Sequence, residues 1–332
     1  MKKIIYKNIL LSIGSLIFAL ILCEIALWLF VPLRNVGPSF SVYDSVYGKR
    51  HKKNFTAIRK SVEFTMRCHL NSLGFRGPEP KSFPNTPILF IGDSYTEGYG
   101  VNDGEEFPEL VRISINENNK NNRIPVVNAG IGNTGTAHWI KFLTLEGEKY
   151  NPRYIILQFS GNDFLDNVAE NLFKLSPSGK LVELPVSPPG LSMKIQKTIE
   201  FIPFLAKSHI AGFARQVFYY LSKNRNVQSG DVDPEIAFKY EDDLTFALFG
   251  KTLEICRKHE WPVFVVIVDM NKERLSKLNN LLQQYEVDSH YVPDRNERPD
   301  LYYKIDGHWN AAGHKYVSDY LIKNLNLVQT LV

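Results

Sequence analysis

Four short apolar runs, each ending in a turn, constrain the fold of this chain more than any other feature. Ile88–Ile91 lies between Pro87 and Gly92. Ile124–Asn128 leads into the glycine-rich NAGIGNTGT, Tyr154–Phe159 into SGND (Ser160–Asp163), and the very apolar Pro262–Asp269 into a helical pattern. Apolar runs without alternation belong to strands buried on both faces, as in parallel sheets. Helices are predicted over Glu106–Asn116, His138–Lys149, Asp242–His259, Lys272–Tyr285 and Asn310–Asn324, with a short strand near Val287–Val292. Such alternation implies right-handed βαβ crossovers and an α/β class, a mostly parallel sheet covered by helices on both faces.

Composition sets outer limits. The 332 residues are 44% hydrophobic and 22% charged, enough for one sizeable core plus attachments, and the net charge of +4 is mild. The basic residues form no stripe interleaved with aromatics, so no nucleic-acid partner is expected. Cysteines 23, 68 and 256 lack metal-ligand spacing; Cys68 and Cys256 are the one internal pair available, and whether they bond is open. The Asn-rich patch Asn116–Asn122 reads as a surface loop.

The amino terminus reads as a membrane anchor over residues 9–31, preceded by a cytosolic tail, 1–8. Ile9–Phe30 carries Glu24 as its one charge and, as a helix, reaches about 30 Å, the thickness of a bilayer core. No Ala-x-Ala cleavage pattern follows. Lys2, Lys3 and Lys7 favour a cytosolic amino end and an exterior catalytic domain, periplasmic or extracellular, whereas Lys49, Arg50, Lys52 and Lys53 pull the other way. Those four read as a solvated loop, with contact to anionic lipid head groups or an acidic glycan as the alternative.

Residues 32–86 read as a juxtamembrane β extension, with one strand-like alternation, Ser61–His69, and turns in NSLGFRGPEP (Asn71–Pro80). Within the main domain, 87–332, the segment 165–241 breaks the rhythm and reads as an inserted cap. It holds a hairpin-like SPSGKLVELP (Ser176–Pro185), then SPPG, then the apolar stretch Ile199–Leu221. Leaving directly after SGND, it is placed to wall an acyl or alcohol pocket; the alternatives are plain core or contact with a membrane surface.

Chemistry gathers at the strand ends. Ser94 follows the first strand, where sites of open α/β sheets lie. A serine hydroxyl is a poor nucleophile without a base, commonly a histidine held by a carboxylate. In YYKIDGHWNAAGH, Asp306 and His308 are two apart before a helix, and an extended backbone there would send both side chains the same way. Ser94 is thus the candidate nucleophile, His308 its base and Asp306 the orienting group. Oxyanion donors are available from the Ser94 amide, from a backbone amide of the turn holding Gly130, Gly132 and Asn133, and from the Asn162 side chain. A metal site is not expected, because His308 and His314 lack the i, i+4 placement of a zinc helix and no acidic cluster accompanies them. No G-x-S-x-G surrounds Ser94.

Together these motifs resemble the SGNH subgroup of the GDSL esterases and lipases over Pro87–Leu325. GDSYTEGYGV is similar to the first block with Ser94 as nucleophile, VVNAGIGNTGT to the second, SGND to the third with Asn162 as oxyanion donor, and DGHWNAAGH to the fifth with Asp306 and His308. The resemblance implies a flavodoxin-like three-layer α/β/α sandwich and ester hydrolysis through an acyl-enzyme, on a small-molecule or glycan-linked acyl ester and without a cofactor. Two positions depart from it. The oxyanion glycine of the second block falls on Asn133, and Ser160 replaces the first glycine of the third. Rival readings are a polysaccharide O-acetyltransferase using the same residues and a non-catalytic glycan-binding module. In alginate acetylation proteins the Asp-x-His motif precedes the serine block, whereas here it follows, which favours the esterase.

Overall fold

The structure is a computed structural model that describes residues 2–31, 37–79, 86–117, 123–189, 208–214, 217, 234–325 and 327. Most of the predicted Asn-rich loop, the end of SPPG and most of Ile199–Leu221 lie outside the described residues. Two compact units are present, one of Met1–Ser39, Ile58–Phe64 and Pro189–Gly230, the other of Phe40–Ala57, Thr65–Pro188 and Asp231–Val332.

In the first unit, α1 (Lys2–Phe30) exposes nearly all its side chains from Ile5 onward. Its length and apolarity suit a membrane span, and a signal sequence near an amino terminus has the same character. Glu24 accepts hydrogen bonds from the Ser208 hydroxyl (2.7 Å) and from the amides of His209 and Ile210.

The second unit opens with the antiparallel hairpin of β1 (Ser41–Asp44) and β2 (Gly48–His51); next along the chain come β3 (Phe55–Lys60), whose residues from Ile58 on belong to the first unit, and β4 (Thr65–Leu70) of the second. The strand expected over Ser61–His69 begins instead at Thr65. The Ser61 amide donates to the Phe64 carbonyl and closes a turn, so exposed and buried positions alternate only along β4.

The central elements follow in order: β5 (Ile88–Ile91), α2 (Ser94–Glu97), α3 (Phe107–Glu117), β6 (Val126–Asn128), α4 (Thr136–Tyr150), β7 (Tyr154–Ser160) and α5 (Asp163–Glu170). A small hairpin, β8 (Phe173–Leu175) with β9 (Leu181–Glu183), forms where SPSGKLVELP predicts one. Then come α6 (Pro234–Lys258), β10 (Val263–Val268), α7 (Lys272–Tyr285), β11 (Asp288–Tyr291) and α8 (Ala311–Asn324). Helix α6 begins earlier than Asp242. Pro234 stands at its first position, where the missing N–H costs nothing.

The five strands pair in the order β6-β5-β7-β10-β11, every pair parallel. This is the flavodoxin-like order. Alternation along each strand explains the three layers. Leu89, Ile91, Leu157, Phe159, Val265 and Ile267 share a core with Trp139 of α4, Phe249 of α6 and Leu278 of α7. Ile88, Phe90, Ile156, Phe264 and Val266 pack on the other face with Phe107 and Val111 of α3 and Val317 and Leu321 of α8. Because both faces are covered, each strand must be apolar throughout. Phe90→Ala, at the fully buried centre of β5, would cost about 3–5 kcal/mol.

Candidate active site

In this strand order the topological switch point lies between β5 and β7, where successive connections leave in opposite directions and open a crevice at the carboxyl ends. Ser94 emerges from β5 and Ser160–Asn162 from β7. The β5 turn is tight. A Cβ on Gly92 would stand 2.3 Å from Thr96 Oγ1 and 2.6 Å from Gln158 Oε1, so only glycine fits. Asp93 then caps α2, its Oδ1 accepting the Tyr95 amide at 2.9 Å, and half-buried Ser94 is left at the rim.

His308 arrives from the segment between β11 and α8. Its Nε2 lies 2.7 Å from Ser94 Oγ, and its Nδ1 lies 2.5 Å from Asp306 Oδ1. The backbone here is not the extended one expected from the spacing. The Gly307 amide donates to the Tyr303 carbonyl at 3.1 Å, and Gly307 takes φ +90°, a left-handed value that a side chain disfavours. A turn, not an extended pair, folds Asp306 onto the imidazole. Trp309, fully buried beside Tyr95 and Phe107, anchors the loop, and Asn310 caps α8 by accepting the Ala312 and Gly313 amides.

The oxyanion candidates separate by what their donors already hold. The Gly130 amide donates to Asn128 Oδ1 (3.1 Å), the Ile131 amide to the Gly92 carbonyl (3.0 Å) and the Gly132 amide to Glu97 Oε2 (2.6 Å). The Asn133 amide makes no hydrogen bond to another described residue. Asn133 sits at φ +53°, a left-handed conformation that glycine adopts freely and that asparagine tolerates better than other side-chain-bearing residues. Asn162 is exposed, and both its amide hydrogens are engaged, by Asp93 Oδ2 (3.0 Å) and Asp166 Oδ2 (2.8 Å).

Asp93 joins the two strand ends. Fully buried, it also accepts from the Ser160 hydroxyl at 2.7 Å. Burial pushes its carboxyl above the usual range, and the bonds from Ser160, Tyr95 and Asn162 pull it back only in part. Asp163 is raised much further, by burial first and by Asp93 next. The serine that replaces a glycine at 160 is thus a hydrogen-bonding member of the site.

Four residues that the sequence reading did not assign to the site hold it from behind. Buried Glu97 accepts from the Gly132 amide and from His51 Nε2 (2.9 Å). Burial pulls its carboxyl up, but His51, the Gly132 amide and Arg76 outweigh this and hold it below the ordinary range. Buried Arg76 donates to the carbonyls of Glu97, Gly98 and Val101. Lys49 Nζ reaches the Gly132 and Asn133 carbonyls. The basic run is therefore no solvated loop at its start: Lys49 and Arg50 lie on β2, and Arg50 pairs with Glu146. Cys68 and Cys256 are both free and buried, and burial pushes each thiol up to about 12. Among the described residues no group of three or more His, Cys, Asp or Glu could hold a metal ion.

A serine, imidazole and carboxylate in line at the switch point is the arrangement that serine-dependent hydrolases use. Residues 90–212 match the GDSL-like lipase/acylhydrolase family, and the chain is a hydrolase acting on ester bonds. Asp306 and His308 lie beyond the matched residues. No curated protein matches the chain. Its fold is similar to the psychrotrophic esterase EstA from a Pseudoalteromonas species (12% identity, 73% of this chain and 97% of that one, TM-score 0.43). Similar values relate it to TesA (12%, 73% and 99%, 0.43) and to the acetyl xylan esterase AlAXEase (12%, 72% and 99%, 0.44).

Proposed function

We propose that the chain hydrolyses an acyl ester through an acyl-enzyme formed on Ser94. His308 Nε2 takes the Ser94 proton as Oγ attacks the ester carbonyl, and Asp306 holds the Nδ1–H tautomer and stabilises the imidazolium. The tetrahedral oxyanion is met by the amides of Ser94 and Asn133. Ser94, first residue of α2, has no acceptor for its amide within the helix, and of the amides from Gly130 to Asn133 that of Asn133 alone makes no hydrogen bond to another described residue. Asn162 adds a third donor once its bond to Asp166 is released. The imidazolium then protonates the leaving alcohol, and water, deprotonated by the same imidazole, discharges the acyl group.

The observation that carries this reading is the continuous line Ser94 Oγ, His308, Asp306, at 2.7 and 2.5 Å. Tethering through residues 9–31, with the catalytic domain on the exterior side and 165–241 as a cap over an envelope or extracellular ester, completes it; Lys2, Lys3 and Lys7 in the first two turns of α1 support that orientation. The test is release of acetate from p-nitrophenyl acetate by the full chain and by Ser94→Ala. Turnover that disappears in the variant supports the reading; turnover that survives removes Ser94 as nucleophile.

A further inference from the structure

We infer that Lys49 is a positioning residue of the oxyanion site, orienting and polarising the peptide whose N–H belongs to Asn133. This rests on the hydrolase reading above and adds a residue far from the family's sequence blocks. Lys49 precedes Gly132 by 83 positions and lies outside the matched 90–212.

The geometry is specific to one peptide unit. Lys49 Nζ donates at 2.9 Å to the Gly132 carbonyl oxygen, which belongs to the same peptide group as the Asn133 N–H. In a trans peptide, C=O and N–H point in opposite directions. Fixing the oxygen on the ammonium therefore aims the N–H away from Lys49. Gly132 itself is close to the nucleophile: a Cβ built on it would stand 3.3 Å from Ser94 Cβ. A second bond of 2.9 Å, to the Asn133 carbonyl, stops the left-handed residue from rotating. Glu97 grips the same loop through the Gly132 amide, so anion and cation hold successive peptides.

A charged donor on a peptide oxygen also strengthens that peptide's N–H as a donor, since hydrogen bonds in a chain polarise one another by about 10–30%. Lys49 is itself anchored. It pairs with Tyr43 across the β1–β2 hairpin, and His138 Nε2 donates to its carbonyl at 3.1 Å.

The experiment compares the full chain with Lys49→Met and Lys49→Arg, reading kcat and KM for p-nitrophenyl acetate, the thermal midpoint, and inhibition by phenylboronic acid, which forms a tetrahedral adduct with an active serine. Lys49→Met should lower kcat about tenfold, less than the roughly 10²–10³ that follows outright loss of an oxyanion donor, with KM within about twofold. Boronate affinity should fall in proportion to kcat/KM, and Lys49→Arg should recover most of both. Unchanged kcat in Lys49→Met, or equal losses in Met and Arg variants that track a lowered midpoint, would overturn the inference. Ser94→Ala in parallel keeps the outcomes separate: its activity tests the hydrolase reading whatever Lys49 does.

Discussion

Ser94 and His308 are 214 positions apart in the chain and 2.7 Å apart at their reacting atoms. Two loops at the carboxyl end of one sheet close that distance. One is fixed by the space Gly92 leaves for Gln158 and Thr96, the other by Trp309 sunk between Tyr95 and Phe107.

Asp306→Asn should preserve the loop and still lower kcat by about 10⁴, because the amide favours the wrong imidazole tautomer. Ester turnover with an unchanged thermal midpoint is the measurement. A loss of tenfold or less would mean that Asp306 does not orient His308.

Asn162 and Asp166 should respond in opposite senses. Asn162→Ala removes an oxyanion donor and should cost about 10²–10³ in kcat. Asp166→Ala frees the amide hydrogen that Asp166 now holds and should leave kcat at or above the parent. Steady-state kinetics on one neutral ester decides; equal losses in both variants would contradict the assignment of Asn162.

Acid should destabilise the fold through two buried imidazoles. Burial lowers His138 to about 4 and His314 to about 3. Unfolded histidines take up protons below about pH 6.5, whereas these stay neutral in the fold, so their contribution is complete above that pH and is lost as pH falls from 6.5 toward 3. His314→Gln, which keeps an acceptor for the Phe107 amide, should flatten this decline by on the order of 3 kcal/mol at pH 4. Denaturant midpoints from pH 8 to pH 4 test it; parallel curves for parent and variant would be the contrary result.

Asp163 should act on the other side. With its carboxyl raised well above the usual range, the unfolded chain ionises first, and stability falls as pH rises above about 4 toward the folded value. Asp163→Asn retains an oxygen for the Ser160 amide and removes the charge. The variant should gain stability over the parent between pH 4 and pH 8 in the same titration; a gap between the two that stays constant would show that the carboxyl is not strained by burial.

Much of this was legible because it is written locally. Apolar runs ending in Gly92, Asn128 and Ser160 mark strands buried on both faces, and the chemistry follows their ends. Asp306 and His308 are two apart, and only the backbone that joins them was misread, since a turn closed from Gly307 to Tyr303 leaves no periodic trace. The oxyanion loop was legible as a loop but not amide by amide. Which N–H remains free depends on Glu97 and Gly92, whose approach only the fold determines. Lys49, His51 and Arg76 were hidden for the same reason. Their partners are loop carbonyls and a carboxylate on other elements, and no spacing rule connects β2 to the turn after β6.

Rapid mixing of the full chain with p-nitrophenyl acetate, acid quench and mass measurement of the peptide bearing Ser94 tests the central claim most directly. The expected result is a transient mass increase of one acetyl group on Ser94 of the parent that never forms in Ser94→Ala and is lost or strongly reduced in His308→Gln. Acetate release with no acetylated Ser94 at any time would contradict it.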